Sequence, residues 1–571
     1  MRLLGMQATH SIQAGSTHAD PRTRKRMKWH ALSEAGVSLV GQLADDSGAW
    51  LGRSRKMVRS LRALGALSEP AAIPSIVRYL LADDQTVAGE TAIVVENLYV
   101  RMSPELLPTL DERIRAESYW GFQSERWRTL AGNVVDRFRA DPTHALALGL
   151  ISCHASGYVR QAAVESLERE ITSGAEIPFL LLRLDDWVPA VRQRAEQAVA
   201  RRLTDSYRHA YFENLWLIAR LGSRLRASAS PALARIESLL RADAKALVGG
   251  ALGSESRRAR RFGVSLALEA LTGSDLETAG AVLGQVIESG DPAARLQATC
   301  WLAKPTTTLH LQRQFLPRLL HDRSVAVRRV ALGWCATKQP GSHVAILHGA
   351  LLDESSMIRS IAQFHLPKLE EINLRSFYRE AVSQSERPRL KAALGGLGET
   401  GVAADAELLL PLVDAPEPKI RKAALGALAK LALETHLEVF VNALQSGSPS
   451  VSRQARIALE RHASIVGADR LAMIFAETPH PHVRRQTLAL MDRLSKWQKL
   501  PILIEIFAES ESSLRMTAEN YLRSWLSSYN RTHQLQPTKA EIARARGVIE
   551  AHGVKLQGRL GHELRAIVAS L

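Results

Sequence analysis

Apolar and polar residues recur along this chain with the spacing of amphipathic helices. In residues 185–203 (DDWVPAVRQRAEQAVARRL), a Val–Arg pair is followed by small and apolar residues three, four and seven positions after the arginine. These offsets place the apolar residues on one face of a helix. The same pattern returns at 321–336, 353–369, 415–431 and 478–494. A pattern that recurs in this way indicates a repeat unit.

One arginine marks the same position in each unit, and we call it the index arginine. Successive index arginines are 30 to 35 residues apart, and the residue three positions later is Ala or Gly in ten of twelve units. Self-similarity at this period is typical of a solenoid. The index arginines are Arg160, Arg192, Arg226, Arg260, Arg295, Arg328, Arg359, Arg389, Arg421, Arg453, Arg484 and Arg515.

Each unit is predicted to contain two helices. A proline three residues before the index arginine suits the first turn of a helix, where its missing N–H breaks no hydrogen bond. A strongly apolar segment fills the rest of the period, and period-two alternation is missing. The pattern predicts an all-α fold, a superhelical α-solenoid of about 14 helix pairs. The prolines are Pro189, Pro292, Pro418 and Pro481, and the apolar segments include 177–184, 344–352, 406–413 and 501–508.

These units resemble HEAT repeats, in particular the short variety found in phycobilisome lyase-type proteins. The resemblance implies a scaffold that binds protein or nucleic acid, because few members of the family are linked to enzyme activity. It also implies a ladder, in which an acid before each helix pairs with the arginine across neighbouring repeats. The implied pairs are Asp185 or Asp186 with Arg192, Asp322 with Arg328, Asp353 with Arg359, and Asp414 with Arg421.

Three index arginines have no acid shortly before them, namely Arg160, Arg226 and Arg453. We call each acid–arginine pair of the ladder a rung, and we expect the rungs of these three arginines to be open, that is, to lack the acid. This makes the three arginines candidates for binding an anion or a partner. The predicted domains are a partly disordered basic N-terminal arm (1–50), the repeat solenoid (51–528) and a C-terminal helical cap (529–571).

The charge of the chain is not explained by a neutral ladder. The 74 Lys and Arg residues exceed the 58 Asp and Glu residues, giving a net charge of +16. An arginine-rich composition is one explanation, since only 15 of the 74 cations are lysine. The distribution of the charge along the chain favours an explanation beyond composition. Residues 1–62 hold eleven cations against four acids, and Arg24, Lys25 and Arg26 form the centre of a basic run. Such an arm can bind phosphates or an acidic protein surface, or be a solvated tail.

A second basic cluster lies in residues 253–262 (GSESRRARRF), at the predicted start of a helix. The positive end of the helix dipole disfavours four arginines in one turn. We expect Arg260 to find a carboxylate on the neighbouring repeat. Arg257, Arg258 and Arg261 are either solvated or form an anion site for a phosphate or a partner's carboxylates.

The sequence contains no P-loop, no dinucleotide-binding glycine pattern and no nucleophile elbow. His480 and His482 lack further metal ligands, and no zinc spacing involves the cysteines. Cys153, Cys300 and Cys335 are expected to be buried structural thiols. We therefore predict no catalytic residues, no metal and no cofactor.

The favoured function is a non-enzymatic scaffold that binds a protein partner along the concave face of the solenoid. The alternative is a nucleic-acid-binding solenoid, with a basic face such as that of the HEAT-like DNA glycosylases. Lyase-like or glycosylase-like activity stays open on resemblance alone. Apolar runs are too short for a membrane span, and MRLLGM lacks the core of a secretory signal, so a cytoplasmic location is expected.

Overall fold

The computed structural model describes residues 29, 31–48, 52–117, 130–138, 145–338, 343–384, 387–509, 512–528, 536–553, 555–556 and 558–570. Regular structure in this part of the chain is entirely helical, and the predicted all-α solenoid is confirmed. The chain divides into two compact units, Met1–Phe315 and Leu316–Leu571. The boundary falls inside the helix Leu309–Leu320.

The first unit begins its described helices in the segment that the sequence assigned to the basic arm. Its α-helices are Glu34–Ser47, Arg53–Leu67, Ile73–Ile76, Gln85–Tyr99, Leu107–Glu117, Ala145–Ile151, Gly157–Glu170, Ile177–Arg183, Pro189–Ala200, Arg208–Glu213, Leu215–Leu221, Leu225–Ser228, Pro231–Arg241, Ala244–Gly253, Arg257–Ala270, Leu276–Glu288 and Pro292–Leu302. Its 3₁₀ helices are Pro70–Ala72, Val77–Leu81, Pro104–Leu106, Gly132–Phe138 and Asp205–Tyr207.

The second unit continues with helix pairs. Its α-helices are Val325–Lys338, Val344–Leu351, Ser356–His365, Leu374–Gln384, Arg387–Thr400, Ala406–Leu409, Pro418–Leu431, Leu437–Leu444, Pro449–Leu459, Ala463–Val466, Ala468–Glu477, Pro481–Met491, Lys496–Glu509, Ser512–Ser528, Lys539–Ala551 and Gly558–Ala569. Its 3₁₀ helices are Leu366–Lys368, Ala403–Asp405 and Leu410–Leu412. The division of the chain into arm, solenoid and cap stays a prediction.

The prolines start helices where the sequence predicted. Pro189, Pro292, Pro418 and Pro481 each occupy the first position of their helix, and Pro449 does the same. The fixed φ of proline suits this position, and no helical hydrogen bond is lost there. The helix that begins at each proline is the second helix of its pair.

Small residues on the second helices let neighbouring helices approach closely. Ala195, Ala298 and Ala424, each three residues after an index arginine, are completely buried. Gly263 takes this position after Arg260, and a Cβ built on it would lie 2.5 Å from Cβ of Ala251 in the preceding helix. Glycine is therefore required there by packing rather than by backbone conformation.

The regular pairing is interrupted in the first unit, between Pro189–Ala200 and Arg257–Ala270. Leu215–Leu221 packs directly against Arg257–Ala270. The predicted index residue Arg226 lies in a four-residue helix, Leu225–Ser228, and not on a repeat helix. The prediction of a regular repeat at Arg226 is therefore wrong. The spacing of Arg226 matches the period of the repeat, but Arg226 does not lie on the second helix of a pair. We call this segment, residues 201–256, the irregular repeat.

Among the described residues, none of the helices is long and apolar enough to cross a membrane.

Candidate functional site

The ladder has a defined geometry, which the rung at Arg328 illustrates. Its Nη1 donates to the backbone oxygen of Asp322, six residues earlier, at 2.6 Å. Its Nε and Nη2 donate to the two carboxylate oxygens of Asp353, on the following repeat, each at 2.9 Å. Asp353 Oδ1 also accepts the backbone N–H of Ser355 at the start of its own helix. One aspartate therefore serves two repeats through bidentate, charge-assisted bonds.

The backbone bond of this rung recurs at seven index arginines in the described part of the chain. Each donates Nη1 to the carbonyl six residues before it, which fixes the guanidinium near the turn between the two helices. Where a carboxylate completes the rung, it comes from the repeat that follows. The arginines with the carbonyl bond are Arg160, Arg192, Arg260, Arg295, Arg328, Arg359 and Arg421.

Arg160 contradicts the prediction that its rung is open. Its side chain is completely buried, and its Nε and Nη2 donate to the carboxylate of Asp186, each at 2.9 Å. Arg183 adds a second cation to the same carboxylate at 3.2 Å and reaches Asp111 at 2.6 Å. The carboxylate of Asp186 lies after Arg160 in sequence, so a search for acids before the arginine missed it. Arg160 is a structural residue and not a binding candidate.

The acid–arginine pairs that the resemblance implied for Arg328 and Arg359 are also wrong. Arg328 pairs with Asp353 instead of Asp322, and Arg359 pairs with Glu399, 3.0 Å from its Nε, instead of with Asp353. Asp322 Oδ1 accepts the backbone N–H of Ser324. The six-residue separation of acid and arginine in sequence brings the arginine to the carbonyl of that acid and not to its carboxylate.

Two predicted rungs lack a carboxylate. Arg192 donates to the backbone oxygen of Asp186, and no described carboxylate pairs with it, because the irregular repeat follows. Arg421 donates to the carbonyls of Ala415 and Pro416 and has no ion pair with a described residue. Asp414 is exposed and likewise pairs with no cation in the described ranges.

Ser446 occupies the position of the acid that Arg421 lacks. It follows Arg421 by the same number of residues as Asp353 follows Arg328, and its Oγ accepts the backbone N–H of Ser448 at 3.2 Å. Asp353 makes the equivalent bond to Ser355. The position between Arg421 and the next repeat therefore has the backbone bonds of a rung but not its negative charge.

Arg453 is one residue out of register with the ladder. Ser452 takes the fourth position of the helix Pro449–Leu459, where the index arginine stands in other repeats, and it is completely buried. Arg453 is exposed and has no ion pair within the described part of the chain. It remains a binding candidate, but it does not belong to an open rung.

The helix Arg257–Ala270 combines a rung with a cluster of exposed arginines. Arg260 pairs with Asp291 of the following repeat at 2.6 Å, which confirms the carboxylate expected for it. Arg257, Arg258 and Arg261 are exposed, and no described carboxylate lies within ion-pair distance of them. Ser256 caps the helix by accepting the N–H of Ala259. The three arginines therefore do not contribute to the ladder.

These three arginines line a cleft together with Arg220 from the irregular repeat, and we call this site the arginine cleft. Its volume is about 770 Å³, and it lies where Leu215–Leu221 packs against Arg257–Ala270. Glu105 is the one carboxylate among its described lining residues, so the lining carries four positive charges and one negative charge. The other lining residues are Trp216, Ala219, Phe262, Ser265 and Gln297.

Arg220 is half-buried and pairs with none of the described carboxylates. Burial lowers the pKa of its guanidinium and the positive charges of Arg224 and Arg258 lower it further, while the negative charges of Glu112 and Asp185 act in the opposite direction. Arg257 and Arg261 also line a second cleft, where Glu288 and Asp291 supply negative charge. On the Arg220 side, Glu112 and Asp185 offset part of the positive charge without forming an ion pair with Arg220.

Two polar atoms in the lining of the arginine cleft are buried without a hydrogen-bond partner among described residues. Trp216 is only 6% exposed, and its indole N–H makes no hydrogen bond. Gln297 donates its amide N–H to the backbone oxygen of Arg261 at 2.9 Å, but its Oε1 accepts nothing. Other buried polar atoms, such as the hydroxyl of Tyr211, likewise have no hydrogen-bond partner among the described residues.

Exposed apolar side chains lie on the same unit as the arginine cleft. Tyr158 is 79% exposed, Trp187 is 60% exposed and Leu225 is 89% exposed. Each lies at or just before the first turn of a helix, and we call the three the apolar edge. The Trp187 ring lies 5.6 Å from the guanidinium of Arg160, and Asp185 lies 3.9 Å from Arg224, which precedes Leu225.

The remaining predicted site residues are scattered. Arg226 is exposed and unpaired within the described ranges, whereas Arg24, Lys25 and Arg26 lie outside the described residues. His480 and His482 stack at 5.3 Å, and no group of three potential metal ligands occurs in the described part. Burial raises the pKa of both Cys153 and Cys335 to about 12. Cys300 is exposed, so its assignment as a buried thiol is wrong.

Sequence reasoning missed Arg220 and Trp216. Both belong to the apolar run LWLIARL, which carries no index arginine. Most of this run is buried, but Arg220 near its end lines the arginine cleft together with Arg258. The signal available in sequence was the absence of any acid between Glu213 and Glu237, which leaves the arginines of this segment without a rung.

No family model matches the chain, and no curated protein matches it in sequence. Solved structures similar to it include Kap121p bound to Nup53p, with 12% identity over 95% of this chain and 68% of that one and a TM-score of 0.36. The Kap95:Nup1 complex matches with 12% identity over 94% and 78% and a TM-score of 0.36. Importin beta matches with 14% identity over 91% and 80% and a TM-score of 0.31. Similarity at this level does not extend to what those proteins bind.

Proposed function

We propose that this protein is a non-enzymatic scaffold that binds a protein partner, with the apolar edge as part of the binding surface. The observation that carries the proposal is the exposure of Tyr158, Trp187 and Leu225 on neighbouring elements of one unit. Single exposed apolar residues are ordinary on protein surfaces, but neighbouring ones mark interaction sites. Tyr, Trp and Arg are also the residues that dominate binding energy at protein interfaces.

The ladder supports this proposal by holding the edge in place. Trp187 lies against the buried guanidinium of Arg160, and Val188 beside it is 3.3 Å from where a Cβ on Gly157 would be. A partner that docks on side chains fixed in this way loses little conformational entropy. The rungs therefore supply rigidity, and the side chains in front of them supply contact area.

Binding variants test the proposal directly. The full chain is immobilised, incubated with nuclease-treated cell extract, and compared with the triple variant Tyr158→Ala, Trp187→Ala, Leu225→Ala. A matched control replaces three exposed apolar residues elsewhere in the unit, Val37, Ile93 and Leu276, by alanine. A captured protein is then purified, and its affinity for all three chains is measured.

We expect the edge variant to weaken binding of the purified partner about tenfold or more, as for interface aromatic residues. The control variant should bind as the wild type does, and circular dichroism should show equal folding. The proposal is contradicted if every captured protein binds the wild type and the edge variant equally well.

Nucleic-acid binding is the second candidate function, and the four unpaired arginines of the arginine cleft favour it. It predicts sequence-independent affinity for DNA or RNA that falls steeply with salt, because bound cations release counterions from the phosphates. Mobility-shift titrations at low and physiological salt measure this. Affinity that does not change with salt would exclude it.

Three narrower statements belong to the same proposal. We infer that the repeats are of the short phycobilisome lyase type, on their sequence pattern alone, and that they are used here without lyase or glycosylase chemistry. We also infer a cytoplasmic location, since the three cysteines are free. Binding along the concave face of the solenoid stays a prediction.

A further inference from the structure

We infer that the arginine cleft binds an extended acidic segment of the protein partner, through guanidinium–carboxylate pairs to Arg220, Arg257, Arg258 and Arg261. This inference rests on the proposed function and names the chemistry of the partner. It extends the sequence-based expectation, because Arg220 and Trp216 come from a different repeat than the other three arginines. The site is therefore a cleft between elements and not a helix start alone.

Charge is the first argument. The cleft combines four guanidiniums with the single carboxylate of Glu105, and none of the four pairs with a described carboxylate. At the completed rungs, by contrast, an acid from the next repeat neutralises the index arginine, as Asp291 does for Arg260. The guanidinium fork matches a carboxylate in two parallel hydrogen bonds, so acidic side chains of a partner can pair with the arginines of the cleft.

The extent of the cleft is the second argument. Its volume is about 770 Å³, and its arginines come from two helices, Leu215–Leu221 and Arg257–Ala270. A cleft that spans two helices suits an extended segment with several carboxylates rather than a single anion.

The position of the cleft is the third argument. Arg224 lies 3.9 Å from Asp185 and its charge acts on Arg220, so it connects the cleft to the segment that carries Trp187. Leu225 follows Arg224 directly and is part of the apolar edge. A partner that covers the apolar edge can therefore place an adjoining acidic segment in the cleft.

Fluorescence anisotropy with defined probes tests this inference on the full chain. The probes are a labelled peptide of alternating Glu and Ala, the same peptide with Gln in place of Glu, and a single-stranded DNA of equal charge. The test variant is Arg257→Gln, Arg258→Gln, Arg261→Gln. The matched control removes the same charge from exposed arginines that form no ion pair with a described residue, as Arg235→Gln, Arg313→Gln, Arg329→Gln.

We expect the Glu peptide to bind the wild type, and the test variant to weaken this binding about tenfold while the control changes it less than about twofold. Equal losses in test and control variants would reduce the effect to net charge and overturn the inference. DNA that binds more tightly than the peptide and is lost in the test variant would assign the cleft to nucleic acid instead. If the peptide fails to bind while the apolar edge still determines capture of a partner, the scaffold function stands and only this inference falls.

Discussion

Arg260 and Arg258 lie two residues apart on one helix, yet they belong to regions of opposite character. Arg260 is held between Asp291 and the carbonyl of Ser254, as in the regular ladder. Arg258 is exposed in the arginine cleft without a described carboxylate partner. The residue type and the following repeat are the same, so the position on the helix decides the role. Arg260 at the index position reaches the acid of the next repeat, whereas Arg258 lines the cleft with Arg220 and is available for binding.

The largest effect is expected in the buried rung. Arg160→Leu leaves Asp186 with one cation fewer in a buried site, and breaking such a pair costs about 3 to 5 kcal/mol. Urea unfolding followed by circular dichroism measures the loss. Arg169→Leu, at the exposed end of the same helix, is the control and should change stability by about 0.5 kcal/mol or less. Similar losses at both positions would remove the distinction between ladder and surface arginines.

Lowering the pH should remove the contribution of the Arg160–Asp186 rung to the free energy of unfolding. Burial raises the pKa of Asp186, but the hydrogen bond from Arg160 and the charge of Arg183 lower it more, so the net pKa in the folded state is depressed. Its stabilisation is then present above the unfolded value of about 3.9 and is lost as pH falls through the folded value. Unfolding free energies of wild type and Asp186→Asn should therefore differ most near neutral pH and converge below roughly pH 4. A difference that persists in acid would mean that the charge of the Asp186 carboxylate is not what stabilises the folded state.

A partly buried rung should give an intermediate effect. Arg328→Ala breaks a bidentate pair with Asp353 and should cost roughly 1 to 3 kcal/mol. Arg453→Ala removes an exposed arginine outside the ladder and should cost about 0.5 kcal/mol or less. Hydrogen exchange should show the loosening first in the helices Val325–Lys338 and Ser356–His365. Equal losses for the two variants would contradict the assignment of the rungs.

A rung can also be completed. Ser446→Asp places a carboxylate where Arg421 lacks one, and a pair that is partly exposed should add up to about 1 kcal/mol. Arg421→Gln provides the second arm of a double-mutant cycle, in which the gain from Ser446→Asp should vanish. A gain that persists without Arg421 would come from helix capping and not from the ladder.

The smallest effect on stability is expected in the arginine cleft. Arg257→Gln, Arg258→Gln and Arg261→Gln together remove like charges from the first turns of a helix, where the dipole disfavours cations. The melting temperature should stay unchanged or rise slightly, corresponding to a few tenths of a kcal/mol in free energy. Differential scanning calorimetry measures the melting temperature. A clear loss of stability would show that these arginines have structural partners.

The fold was predictable because the packing of helix pairs imposes a periodic pattern on the chain. Pro189 and Ala195 mark the start and the buried face of one helix, and spacing alone predicts both. The ladder was not predictable in this way. The acid and arginine of one repeat are close in sequence, while the true partner lies 25 or 26 residues after the arginine in the rungs at Arg328 and Arg160. Only the stacking of repeats decides between the two acids.

The candidate site was predictable only in part. Arg257, Arg258 and Arg261 stood out because clustered cations at a helix start oppose the dipole. Trp216 did not, since a tryptophan in an apolar run is typical of the core, and its unsatisfied N–H exists only once neighbouring helices are in place. Arg226 fitted the period yet lies off the repeat helices. Regular spacing therefore located the repeat helices better than the interruption between them.

Each rung joins a donor on one repeat to an acceptor on the next, and this gives the ladder a direction along the chain. Asp353 faces back to Arg328, while Arg359 of the same repeat faces forward to Glu399. The repeat that carries Asp353 and Arg359 thus presents an acidic end to its predecessor and a basic end to its successor. Units with such matching ends can be duplicated or excised by recombination without leaving an unpaired charge at the new junction. A repeat that has lost its acid cannot be exchanged in this way, so the irregular repeat would be expected to keep its place while the regular units around it change in number.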